Sequence, residues 1–84
     1  MNAKEAREKS NQSYKMDYDK CYKDCSKRIN NLINAAVSVG KFNTVITFNT
    51  EWTSFNQVLN DICSEYESKG YKTIRDCQYI TIYW

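Results

Sequence analysis

The 84-residue chain has no His, no Pro and only two Gly, and no apolar run approaches the roughly 18 residues of a membrane span. Without His, the commonest general base and the usual partner of a nucleophilic Ser or Cys are missing, so no catalytic residues are expected. Charge of one sign is also scarce. With 12 Lys+Arg against 10 Asp+Glu, the net +2 is too weak and too mixed to mark a membrane surface or a long nucleic acid as the partner. The start, Met1-Asn2-Ala3-Lys4-Glu5, has no apolar signal core, and the expectation is a cytoplasmic protein of one domain, residues 1–84.

Four cysteines do not make a disulfide scaffold when secretory features and loop-rich composition are absent. Cys21 and Cys25 are four apart, Cys63 and Cys77 stand alone, and no pair has the two-residue spacing of a zinc knuckle. Buried structural thiols are expected, with no metal and no cofactor.

The fold class is α+β. Asn2 with Glu5 three residues on forms a capping box, and Gly40 stands where a helix would stop. Between them Ala3, Ala6, Ser10, Tyr14, Tyr18, Cys21, Cys25, Ile29, Leu32, Ala36 and Val39 recur at steps of three and four. The C-terminal half, with Ile29, Leu32, Ile33, Ala36 and Val37, carries a core face, whereas the N-terminal half offers small residues and tyrosines. About 38 helical residues would span roughly 57 Å, about twice the diameter of so small a domain. Half of that helix must overhang, break or meet another subunit. A homo-oligomer held in part by this helix is therefore expected.

Phe42 to Phe48 reads as a strand with Phe42, Ile46 and Phe48 on its buried face. Ser54 and Gln57 can cap a second helix striped by Phe55, Val58, Leu59, Ile62, Cys63 and Tyr66, which Gly70 ends. Tyr71 to Arg75 and Gln78 to Trp84 read as two more strands joined by a turn at Asp76-Cys77. In the last one Ile80, Ile82 and Trp84 alternate with Tyr79, Thr81 and Tyr83, so both faces are large and β-prone. Such a strand belongs in the middle. The result is a long N-terminal helix followed by β-α-β-β, with a three-stranded antiparallel sheet in the order 1-3-2. The helices cover one face, and Tyr79, Thr81, Tyr83 and Val45 are left on the other.

Aromatics are the clearest compositional signal: seven Tyr, three Phe and two Trp. Most are expected in packing, but Trp52, in a polar loop, is not demanded by a core. Near the Tyr-rich strand stand Lys72 and Arg75. Aromatic stacking with a cation on phosphate is the least chemistry that holds a nucleotide, and Trp52, Lys72, Arg75, Tyr79, Tyr83 and Trp84 are the candidate ligand-binding set. The competing reading makes Lys72 and Arg75 solvated edge charges that discourage strand pairing.

Asn2-Ala3-Lys4-Glu5-Ala6-Arg7, Gly70-Tyr71-Lys72 and Tyr79-Ile80-Thr81-Ile82-Tyr83-Trp84 resemble a broad class of small bacteriophage proteins with a long N-terminal helix and an Ile-Thr-Ile-aromatic end. Proteins of that class include anti-defence inhibitors of host immunity, among them oligomeric sponges that sequester cyclic-nucleotide or cyclic ADP-ribose signals. The resemblance implies a phage-encoded oligomeric binding protein in the host cytoplasm that sequesters a nucleotide-derived signal without cleaving it. The alternatives are a protein-protein inhibitor of a host enzyme and a small virion or assembly subunit.

Overall fold

The computed structural model describes residues 1–47, 52–76 and 79–84. Helix α1 (Ala3–Ser38) is followed by strand β1 (Asn43–Thr47), helix α2 (Phe55–Ser68), and strands β2 (Lys72–Arg75) and β3 (Tyr79–Tyr83). The expected positions of Phe48, of loop residues 49–51 and of the turn at Cys77 and Gln78 lie outside the described residues.

Both ends of α1 form as the sequence indicates. The Asn2 side chain accepts from the Glu5 N–H at 2.9 Å. At the other end Gly40 takes φ 77°, and the N–H groups of Gly40 and Lys41 bond back to the carbonyls of Val37 and Ala36. Gly70 repeats this closure after α2 at φ 95°, with the Tyr71 N–H on the Tyr66 carbonyl. A left-handed residue followed by this pair of bonds is a Schellman stop, and glycine reaches that φ without steric cost.

The sheet order is β1-β3-β2, antiparallel throughout, with Val45 opposite Thr81, Ile46 opposite Ile80, Ile74 opposite Thr81 and Arg75 opposite Ile80. Ile46, Ile80 and Ile82 are buried beneath the helices, α1 lying on β1 and α2 on β2. They join Cys21, Cys25, Ile29 and Ile33 of α1 with Phe55, Val58, Leu59, Ile62 and Tyr66 of α2 in one core.

Two sequence expectations need correction. The buried stripe of α1 is Cys21, Cys25, Ile29, Ile33 and Ala36, while Leu32, Val37 and Val39 flank it and stay exposed. A helix seated over one edge strand buries a narrow seam, so residues flanking it remain in solvent. Phe42, expected on the core face of β1, precedes the strand and is 71% exposed.

The long helix is continuous, and the molecule measures 56 × 21 × 19 Å. The first buried residue of α1 is Cys21, so the turns before Asp17 extend beyond the body. Among the described residues no helix is long and apolar enough to cross a membrane.

Candidate binding surface

The face of the sheet turned away from the helices is made by alternate residues of all three strands. Register places Asn43, Tyr83 and Lys72 in one cross-strand row, Val45, Thr81 and Ile74 in the next, and Thr47 with Tyr79 in the third. Val45 is 53% exposed, Ile74 56% and Tyr79 41%. Val45 and Ile74 flank Thr81 in this central row, a tyrosine stands on either side, and neither described helix lies over it.

The six residues proposed as a ligand set are divided by the sheet. Lys72, Tyr79 and Tyr83 share the outer face. Arg75 lies on the helix side, where its guanidinium donates to Asn60 and, at 2.9 Å, to Asn56 of α2. Trp84 stacks edge-on against Tyr71 at 5.9 Å, and Tyr71 against Tyr66 at 5.5 Å, so this tryptophan closes an aromatic corner of the core. Trp52 is half-buried and packs on the core at the entry to α2. The parity of the strands accounts for the division, because neighbours in sequence point to opposite faces.

The seam between the helices carries polar groups that the sequence left unassigned. Tyr18 Oη donates to Asp61 Oδ2 at 2.5 Å, and Tyr22 Oη donates to Glu65 Oε2. The rings of Tyr18 and Tyr22 stack at 6.0 Å. These bonds hold both phenols protonated: the Asp61 bond pushes Tyr18 up to about 12, and the Glu65 bond does the same for Tyr22. The signal was present in the spacing, since residues 18 and 22 on α1 face 61 and 65 on α2, each pair one helical turn apart. A shallow groove of about 370 Å³ follows this seam, lined by Tyr18, Asp19, Tyr22, Lys23 and Asp61.

Asp17 is the second such group. Its carboxylate accepts from the Ser54 N–H at 2.8 Å, the Ser54 hydroxyl at 2.5 Å and the Thr53 N–H at 3.3 Å. Ser54 thus occupies the N-cap position of α2 without capping it, because its hydroxyl is turned to Asp17. A residue of α1 satisfies donors at the start of α2, and these bonds draw the Asp17 carboxyl below its ordinary value.

Cys21, Cys25 and Cys63 are free thiols, with the Cys21 and Cys25 sulfurs 3.9 Å apart. Burial pushes the Cys25 thiol up to about 12 and raises Cys21 and Cys63. Thiols held protonated in this way are poor nucleophiles and metal ligands, so their contribution is to packing. No protein-family model, curated protein or solved structure matches the chain.

Proposed function

We propose that the chain is a non-enzymatic, homo-oligomeric binding protein that acts by covering a partner protein with the outer face of its sheet. The observation that carries this is Val45 and Ile74 flanking Thr81, with Tyr79 and the half-buried Tyr83 beside them, apolar and aromatic groups presented on one face of paired strands. Adjacent exposed apolar groups mark interaction surfaces, and tyrosines anchor them with a ring and a polar tip. The surface suits an inhibitor of a host enzyme or an assembly subunit, and the resemblance to small bacteriophage proteins favours a host target. A photo-crosslinking amino acid in place of Ile74 should give one discrete adduct in expressing cells, and the same group in place of Lys27 on α1 none. Equal labelling from both positions, or from neither, would sink the reading.

A second reading keeps the nucleotide-derived signal as ligand, because Lys72, Tyr79 and Tyr83 share that face. Stacking contributes about 1–3 kcal/mol per base, and a lysine can meet phosphate. Calorimetry with cyclic dinucleotides, cyclic trinucleotides and ADP-ribose derivatives separates the two readings. Binding that Tyr83→Ala weakens at least about tenfold, with Arg75→Ala near neutral, favours sequestration. Absence of heat for every ligand removes this reading, and recovery of an altered ligand would show an enzyme.

A further inference from the structure

We infer that the projecting turns of α1 dock in the groove between α1 and α2 of a second copy, making a two-fold dimer by exchange of arms. The inference rests on the oligomeric part of the function proposed above, but it uses the helical side of the molecule and not the outer face of the sheet. One stripe of α1 carries the argument. Lys4, Arg7, Asn11, Lys15, Tyr18 and Tyr22 follow one another at steps of three and four, so they share one side of the helix. Within the body that side meets α2, where Tyr18 reaches Asp61 and Tyr22 reaches Glu65. Beyond the body it turns basic, and Lys4, Arg7 and Lys15 are exposed with no ion pair among the described residues.

The second helix is opposite in charge. The 14 residues of α2 hold Asp61, Glu65 and Glu67 and no Lys or Arg. The groove of about 370 Å³ has Asp19 and Asp61 on its walls and Glu65 one turn on, against Lys23 and the Lys69 that bonds Glu65. Carboxylates are in excess there. In residues 1–16 the excess is reversed, with Lys4, Arg7, Lys9 and Lys15 against Glu5 and Glu8.

Length and register agree with charge. Residues 3–16 span about 21 Å at 1.5 Å per residue, and so does α2. A two-fold axis beside Gln12 and Ser13 runs the arms antiparallel, with Arg7 level with Tyr18 and its Asp61, and Lys4 level with Tyr22 and its Glu65. Lys15 then falls level with Ser10 and Asn11, and Lys23 with Asn2, so no cation meets a cation. Glu8 comes level with Asp17, but Asp17 lies on the opposite side of the helix, turned to Ser54. Each copy has one arm and one groove and both are used, so association closes at two. Two contacts about 21 Å long and about 10 Å wide give roughly 400 Å² per partner, below the ~800 Å² of a standard interface. The dimer is therefore weak, with a dissociation constant of roughly micromolar order or above, and it weakens with salt.

Sedimentation equilibrium of the full chain from about 10 to 500 µM, in about 0.02 M and about 1 M NaCl, tests it, since the screening length falls to about 3 Å at the higher salt. At low salt the wild-type mass should rise from 9.9 kDa toward twice that value, and high salt should reverse the rise. Lys4→Glu/Arg7→Glu reverses the charge of the arm, and Asp19→Arg that of the groove; each should weaken association at least about tenfold at low salt. Carboxylates near a helix N-terminus favour the helix, so the arm variant keeps its fold, and far-ultraviolet circular dichroism should be unchanged. Should one variant fail to fold, the other and the salt dependence decide. A wild-type protein that stays monomeric at the highest concentration in low salt, a dimer equally strong at both salts, or a dimer that survives either charge reversal overturns the inference. The outer face stays open in this dimer, and crosslinking at Ile74 reports on it alone. A dimer without that adduct would keep the arms and remove the face, and an adduct from a monomer would do the reverse.

Discussion

Replacing Tyr18 and Tyr22 by Phe should remove an interhelical contribution that depends on pH at its alkaline end. Each phenol donates to a carboxylate of α2, Tyr18 to Asp61 and Tyr22 to Glu65. A hydrogen bond to a charged group contributes about 1.5–3 kcal/mol when buried, and these partly exposed ones, discounted for solvent screening, about 1 kcal/mol each. A loss of about 2 kcal/mol in a domain of this size lowers Tm by roughly 8–16 °C. Because both phenols are raised in the fold from 10.0 to about 12, the contribution is complete below the unfolded value of 10 and fades as pH climbs toward 12. Above that range, phenolate would face carboxylate. The assay is thermal unfolding of wild type and of Tyr18→Phe/Tyr22→Phe at pH 7, 9, 10 and 11, reading the difference between the two so that effects common to both, including thiol ionisation, cancel. The gap should be constant up to about pH 9 and shrink above 10. Absorbance at 295 nm should show late-titrating tyrosines, two of which the Phe substitutions remove. A gap that is unchanged at pH 11, or tyrosines that all titrate near 10, would refute the reasoning.

Two further outcomes follow from the same architecture. Asp17→Ala should lower Tm at pH 7 and fray the start of α2 in amide exchange, and since the Asp17 carboxyl is depressed in the fold, the deficit should begin to shrink as pH falls below its ordinary 3.8 and be lost once pH passes the depressed folded value; equal deficits at pH 3 and 7 would discount the cap. Deleting residues 1–13 should leave the Tm of dilute protein unchanged, because no residue of α1 before Cys21 is buried; a clear drop would show that the projecting turns are held by something further.

The elements and their order were legible because each carries its own punctuation. Asn2 with Glu5, Gly40 and Gly70 mark helix ends by backbone chemistry that needs no tertiary partner. The 1-3-2 order was read from the two large faces of Tyr79–Tyr83, and β3 is indeed central, although only its Ile80 and Ile82 face is covered. What could not be read was which positions of a stripe form the seam. Leu32 and Val37 are as apolar as Ile33, and the choice among them is fixed by where α1 sits over β1. The Asp17 cap was invisible for the same reason: residues 17 and 54 are brought together by packing, and nothing in the local sequence of either predicts the other.

Arg75 was a different case, since strand parity alone places it. Once Ile80 is assigned to the core, the residue paired with it on the neighbouring strand must share its face, and that residue is Arg75. A slip of the pairing by one residue would turn Arg75 outward beside the tyrosines and carry Ile74 into the core, with Lys72 turned to the helix side. The observed register avoids burying a lysine and still leaves an arginine on the helix side, which α2 accommodates by presenting Asn56 and Asn60 one turn apart to its guanidinium. Two amides in that position are what a planar fork of donors requires. An arginine satisfied within its own chain has fewer donors left for a ligand. For that reason the outer face, with Lys72 at its corner, two tyrosines and an apolar centre, is better suited to a broad partner surface than to a compact anion.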